Sequence, residues 1–223
     1  MRRWMTGIFV LWALVVPAWA AAPIPARRVV FVHGIWQNEW RCFGVIRRAL
    51  EERGVECLAP SLRPSDGRNG LPDEAAQLKA AIDQRFGPKD HFVIIAFSMG
   101  GLASRYYLQE MGGAKRCDGF FTVSTPHQGT RIAYFYPGKG ARDMRPGSAF
   151  LKELGESEDR LGKIPIVSYG TKADMVVPYS RSVWKRAENV PVKCSMHRLM
   201  TACPGVRDDI LRRLRTPLQP ARG

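Results

Sequence analysis

The sequence predicts an α/β fold: a mostly parallel central sheet with helices packed against its faces, compact and confined to one domain. Three observations carry this. Short β-branched and apolar runs alternate with segments of helical periodicity along the chain, the pattern of strands joined by crossover helices. Residues 91–97 contain Phe-Val-Ile-Ile-Ala-Phe, apolar at every position, as a strand buried on both faces requires. Ser98 follows that run at once, and a helical segment starts directly after it. The length of 223 residues, 45% hydrophobic and 24% charged, suffices for one such core.

Residues 27–32 form the first expected strand and end in His33-Gly34. A helix is expected over 41–53, with Phe43, Val45, Ile46 and Leu50 on its apolar face and Gly54 closing it. Residues 55–58 read as a second strand, and 60–72, rich in Pro, Gly, Ser and Asn, as a loop. A helix over 73–86 carries Ala76, Leu78, Ala81, Ile82 and Phe86, and Gly87-Pro88 stops it. After the strand at 91–97 come a helix over 99–111, a strand over 119–123 and an irregular stretch over 125–147. A short helix at 148–154, strands at 164–169 and 190–194, and a basic helix at 206–214 complete the chain. No repeat, low-complexity segment or interdomain linker interrupts it.

The first residues differ in kind. Arg2 and Arg3 precede an uncharged apolar run over 7–16, Pro17 breaks it, and Ala18-Trp19-Ala20 supplies small residues where a signal peptidase reads. Residues 1–20 are expected to be a signal peptide and 21–223 the exported domain, periplasmic or secreted. The apolar run is shorter than the roughly 20 residues of a membrane span. An uncleaved anchor is the second reading.

The formal net charge is +14, falling to +12 without Arg2 and Arg3. Such a field draws anionic partners, an anionic membrane surface among them. No nucleic-acid motif accompanies it, so no nucleic acid is expected as a partner. Five cysteines, Cys42, Cys57, Cys117, Cys194 and Cys203, match no metal-ligand spacing, and no metal is expected. A bridge between Cys194 and Cys203 would stiffen the loop that holds His197. Buried thiols are the equal alternative.

A serine hydroxyl becomes a useful nucleophile when it is presented sharply and deprotonated by a neighbour. Ala96-Phe97-Ser98-Met99-Gly100 places small residues two positions to either side of Ser98, which lets strand and helix approach. The bland alternative is a serine capping an ordinary helix. Two further patterns favour the first reading. Phe31-Val32-His33-Gly34-Ile35-Trp36 ends the first strand, and the backbone N–H groups of Ile35 and Met99 are the expected oxyanion donors. Among four histidines, His197 alone follows the last strand with a suitable acid before it, Asp174, just past the carboxyl end of its strand. The expected roles are Ser98 as nucleophile, His197 as base and Asp174 as its partner. Trp36, Phe97 and Tyr134 are expected to bind substrate, although core packing is an equal alternative for such residues.

These motifs, with STPHQGT, DMRPGSAFLKEL and the stretch from ADMVVPYS to ENVPVKCSMH, resemble the small bacterial triacylglycerol lipases and esterases of the α/β-hydrolase superfamily. STPHQGT and PGSAFLKEL are also similar to its GPI inositol-deacylase-like branch. The resemblance runs from about Val29 to the final helix. It implies the α/β-hydrolase fold without a large lid, and hydrolysis of small-molecule or lipid esters without a cofactor. A monomer is expected. The alternatives are an acyltransferase or thioesterase on the same side chains, or a non-catalytic binding protein of the envelope. Ala96 stands where relatives usually carry Gly. Arg198 follows the histidine where relatives often carry a small or apolar residue, which bears on access and substrate charge.

Overall fold

The structure, a computed structural model, describes residues 28–38, 41–216 and 218. The expected signal peptide over 1–20 lies outside the described residues. No described helix is long and apolar enough to cross a membrane.

The elements run in chain order as β1 (Arg28–Val32), α1 (Gly44–Glu51), β2 (Glu56–Leu58), α2 (Leu71–Arg85), β3 (Phe92–Phe97), α3 (Met99–Glu110) and β4 (Cys117–Val123). Then follow α4 (Lys139–Asp143), α5 (Ala149–Glu156), β5 (Ile166–Gly170), α6 (Tyr179–Ser182), β6 (Glu188–Pro191) and α7 (Pro204–Arg213). The strands form one six-stranded sheet, ordered β2-β1-β3-β4-β5-β6, in which every neighbouring pair is parallel.

Strand periodicity explains the layers. Side chains alternate between faces, so Val29, Phe31, Val93 and Ile95 join one core while Val30, Val32, Ile94 and Ala96 join the other. Ile46 and Leu50 of α1 and Val206 and Ile210 of α7 cover the first face. Leu78 and Ile82 of α2 and Tyr107 and Leu108 of α3 cover the second. Burying each such aliphatic side chain contributes about 1.5–3 kcal/mol. A third cluster, including Leu71, Met99, Met144 and Phe150, packs under the irregular segment.

Boundaries shift for local reasons. α1 starts at Gly44 because Phe43 takes a left-handed backbone, φ 63. α2 starts at Leu71, two residues before the expected start, since Pro72 lies in the first turn where no N–H is required. β6 spans Glu188–Pro191 rather than 190–194, with Asn189 paired to Ser168 and Pro191 ending the strand. The irregular stretch over 125–147 contains a 3-10 turn, Arg131–Phe135, and α4. All five cysteines are free thiols, so Cys194 and Cys203 are not bridged.

Candidate active site

After β1 the chain turns one way to β2 and then crosses to β3 on the other side of β1. Ligand sites in open α/β sheets form beyond the carboxyl ends of strands at such a switch. The loop after β1 and the residue after β3 meet there.

Ser98 forms the whole junction between β3 and α3. Its backbone sits at φ 51, ψ -123, a conformation that L-residues rarely adopt. The turn is held because Ser98 N–H donates to Val123 O at 2.9 Å, continuing the β3–β4 ladder. Gly100 makes the approach of α3 to β1 possible: a Cβ there would lie 2.9 Å from Val32 Cγ1 and still closer to the His33 carbonyl oxygen. At Gly34 a Cβ would stand 2.8 Å from the Phe97 ring and 3.1 Å from Ser98 Cβ. The glycine thus lets the loop after β1 pass directly over the serine.

His197 opens a 3-10 turn, His197–Ala202, after β6, and Asp174 follows β5. All three side chains are buried. Asp174 Oδ1 accepts from the N–H groups of Val176 and Val177 at 2.9 and 2.8 Å, which fixes the carboxylate. Its Oδ2 lies 2.7 Å from His197 Nδ1, and His197 Nε2 lies 2.9 Å from Ser98 Oγ. Burial works to raise the Asp174 pKa, but the His197 bond and charge and the Val177 N–H outweigh it and hold the acid below its ordinary value. An ionised carboxylate only accepts. His197 therefore carries its proton on Nδ1 and presents Nε2 as acceptor to the Ser98 hydroxyl. This arrangement can draw a proton from the serine as the serine attacks.

The array opens into a cavity of about 180 Å³ lined by Ile35, Trp36, Phe97, Ile132, Tyr136 and Val177 among others. Phe97 packs its ring on His197 at 4.7 Å. Met99 is the first residue of α3, so no carbonyl of that helix accepts its N–H. Trp36 N–H is spent on Ser65 O at 2.8 Å, and His33 Nε2 accepts from Leu62 N–H at 3.0 Å. Both bonds tie the loop after β1 to the loop before α2.

A sequence profile of the Alpha/beta hydrolase family matches residues 29–219. The chain belongs to that family. Among solved structures, this α/β hydrolase is similar to the mature Bacillus licheniformis lipase BlEst2, with TM-score 0.72 and 16% identity over 87% of this chain and 95% of that one. Aspergillus fumigatus lipase B gives TM-score 0.72 and 16% identity, covering 87% of this chain and 54% of its own. Phospholipase PlaB of Legionella pneumophila gives TM-score 0.70 and 14% identity, over 85% of this chain and 59% of that one. At such identity these neighbours speak for the fold. No curated protein sequence matches the hydrolase.

Of the residues read from sequence, Ser98, Asp174 and His197 come together, and Ile35, Trp36 and Phe97 line the cavity beside them. Met99 is buried beneath, its side chain in the third cluster. Tyr134 is not brought to the cavity: it is 56% exposed, with the Arg145 guanidinium 4.9 Å from its ring centre. Tyr136 stands in the wall instead and meets Trp36 edge-on at 4.9 Å. Thr130, Met144 and Val176 also line the cavity and were not singled out by sequence reasoning. STPHQGT and DMRPGS carry the first two, so the motifs flagged the segments without resolving which side chains turn inward. Arg198 brings a cation to the rim. His91 lies at the opposite edge of the sheet, 2.8 Å from Asp118. His127 is buried in a separate network.

Proposed function

We propose that this α/β hydrolase is an exported serine hydrolase that cleaves carboxylic esters of lipid or acyl type through an acyl-enzyme. The observation that carries the reading is the continuous hydrogen-bonded path Ser98–His197–Asp174 at the floor of a largely apolar cavity. In this mechanism Ser98 Oγ bonds to the ester carbonyl carbon as its proton passes to His197 Nε2. The negative charge that forms on the carbonyl oxygen is assigned to the N–H groups of Ile35 and Met99, where one such donor is worth about 3–4 kcal/mol. His197 then protonates the departing alkoxide, and Asp174 stabilises the imidazolium between the two transfers. Water, deprotonated by His197, repeats the sequence on the acyl-enzyme and frees the acid. The steps are complete without metal or cofactor.

Trp36 and Phe97 are assigned to the acyl wall, with Tyr136 beside them. Among the described residues, the strongly exposed large apolar side chains are Trp36, Val45, Tyr134, Phe135, Met175, Met196 and Leu199. Six of them follow the carboxyl end of a strand, Trp36 after β1, Tyr134 and Phe135 after β4, Met175 after β5 and Met196 and Leu199 after β6, whereas Val45 lies on α1. This distribution suits an ester presented at an apolar surface. Export is supported by Arg2-Arg3, the apolar run and Ala18-Trp19-Ala20. One chain supplies all the assigned groups, as a monomer requires.

The decisive measurement is hydrolysis of p-nitrophenyl esters of graded chain length, together with labelling by a fluorophosphonate. Ser98→Ala is expected to lose both turnover and label. Retained turnover in that variant would sink the mechanism. Product analysis with a competing alcohol separates hydrolysis from acyl transfer. Intact mass of the exported protein, expected to begin at Ala21, tests the processing.

A further inference from the structure

The helix layer formed by α1 and α7 carries a second opening, separate from the cavity at Ser98. It is a cleft of about 650 Å³ walled by Arg41, Arg48, Arg53, Arg207 and Arg215. The acids in its lining are Glu52 and Asp208, and Asp208 is engaged by Arg207 Nε at 2.7 Å. Arg41 and Arg48 are exposed, and no described carboxylate lies within ion-pair distance of either. The exposed guanidinium groups of Arg41 and Arg48 give this end of the cleft a positive field of its own, beyond the general excess of the chain.

The floor has a different character. Phe43, Val45, Ala49 and Leu211 line it, and Val45 is half exposed. Charged walls above an apolar floor match a ligand with an anionic head and a hydrocarbon body. A small inorganic anion would leave the floor unused. A polyanion follows an extended stripe of charge, whereas this site is closed within the span of two short helices. Planar guanidinium groups suit phosphate oxygens, which they bind in pairs. Thr201 and Ala202 line the cleft and belong to the same 3-10 turn that starts with His197. One turn therefore contributes to both linings, His197 and Arg198 to the active cavity and Thr201 and Ala202 to the cleft.

We propose that the α1–α7 cleft is a binding site for the phosphate-bearing headgroup of an anionic lipid at a membrane surface. Arg41 and Arg48 contact the phosphate, and Val45 and Leu211 take the first apolar part of the lipid. The inference does not depend on the ester chemistry assigned to Ser98.

The test is flotation of the full exported protein with vesicles of phosphatidylcholine, with and without phosphatidylglycerol. Arg41→Gln/Arg48→Gln is compared with Lys163→Gln/Lys185→Gln, which removes the same charge from exposed positions just before β5 and β6. Wild-type protein is expected to bind only the phosphatidylglycerol vesicles. The arginine variant is expected to bind about 30-fold more weakly, and the lysine variant to bind like wild type. Soluble dihexanoyl phosphatidylglycerol is expected to compete, and inorganic phosphate at matched ionic strength is not. Equal losses in the two double variants would make the attraction a property of net charge and overturn the site. Competition by inorganic phosphate or by polyphosphate as strong as that of the soluble lipid would overturn the choice of ligand. Melting temperatures of both variants check that each is folded.

Discussion

Ser98 holds a backbone conformation that costs about 1–3 kcal/mol in a residue with a side chain. A glycine adopts the same φ without a Cβ penalty. Ser98→Gly is therefore expected to raise stability by about 1 kcal/mol, read by chemical denaturation, while abolishing ester hydrolysis. A variant as labile as wild type would show the turn to be unstrained. Asp174 is held by the N–H groups of Val176 and Val177 through Oδ1 and meets His197 Nδ1 through Oδ2, so its effect runs through His197. Asp174→Asn is expected to lower kcat about 10⁴-fold with little change in KM, because the imidazole then favours the wrong tautomer. A KM effect alone would place Asp174 in substrate binding instead. At this scale the meeting of Ser98, Asp174 and His197 is legible in the sequence, because strand ends and chain order fix which polar residues share an edge. The choice between Tyr134 and Tyr136 is not. Both sit on one 3-10 turn and its cap, where no strand alternation tells inside from outside, and contacts with Trp36 and Arg145 decide the matter.

Among the elements, α3 is the one that ties the site to its surroundings. Arg105 on its buried side donates to Leu154 O at 3.1 Å and to Glu158 Oε1 at 3.0 Å, and its guanidinium lies 4.1 Å from the centre of the Trp184 ring. Trp184 also stacks on His127 at 4.6 Å. Burial lowers the His127 pKa well below its ordinary value, and the Arg105 charge adds to this. The neutral ring accepts from Arg105 on Nδ1 and donates to Thr122 Oγ1 at 3.0 Å. The cluster joins α3, the turn after α5 and the loop after β4, which also supplies Thr130 to the cavity. Arg105→Gln is expected to cost about 3 kcal/mol by denaturation, since it leaves Leu154 O and Glu158 without their cation. A loss below about 0.5 kcal/mol would show that solvent at Glu158 already screens the pair. Strands and long helices are legible in the sequence because their periodicity is local. The Arg105–His127–Trp184 cluster is not, since its members come from three distant segments and each looks ordinary alone.

For the molecule as a whole, pH acts on stability through a buried acid of α2. Glu74 on α2 is buried with neither carboxyl oxygen bonded. Burial first, then Asp73 and Asp66, push its pKa from 4.5 up to about 8. The folded protein keeps this proton up to about pH 8, whereas the unfolded chain releases it near 4.5. Stability therefore falls as pH rises across that window and is flat above it. Glu74→Gln carries no such proton. Its advantage over wild type is expected to grow by about 1.4 kcal/mol per pH unit from about 4.5 to 8, read from paired denaturation curves. An advantage independent of pH would show Glu74 to be ionised in the fold. The exposed apolar side chains that follow the carboxyl ends of the strands, Trp36, Met175 and Met196 among them, have a further consequence. The protein is itself an oriented surfactant, with one oily pole and polar flanks. Spread at an air–water or oil–water boundary, it would stand on that pole with the amino ends of its strands in the water. Stirring, foaming and bare plastic would then deplete it from solution, and a trace of non-ionic detergent would keep it there.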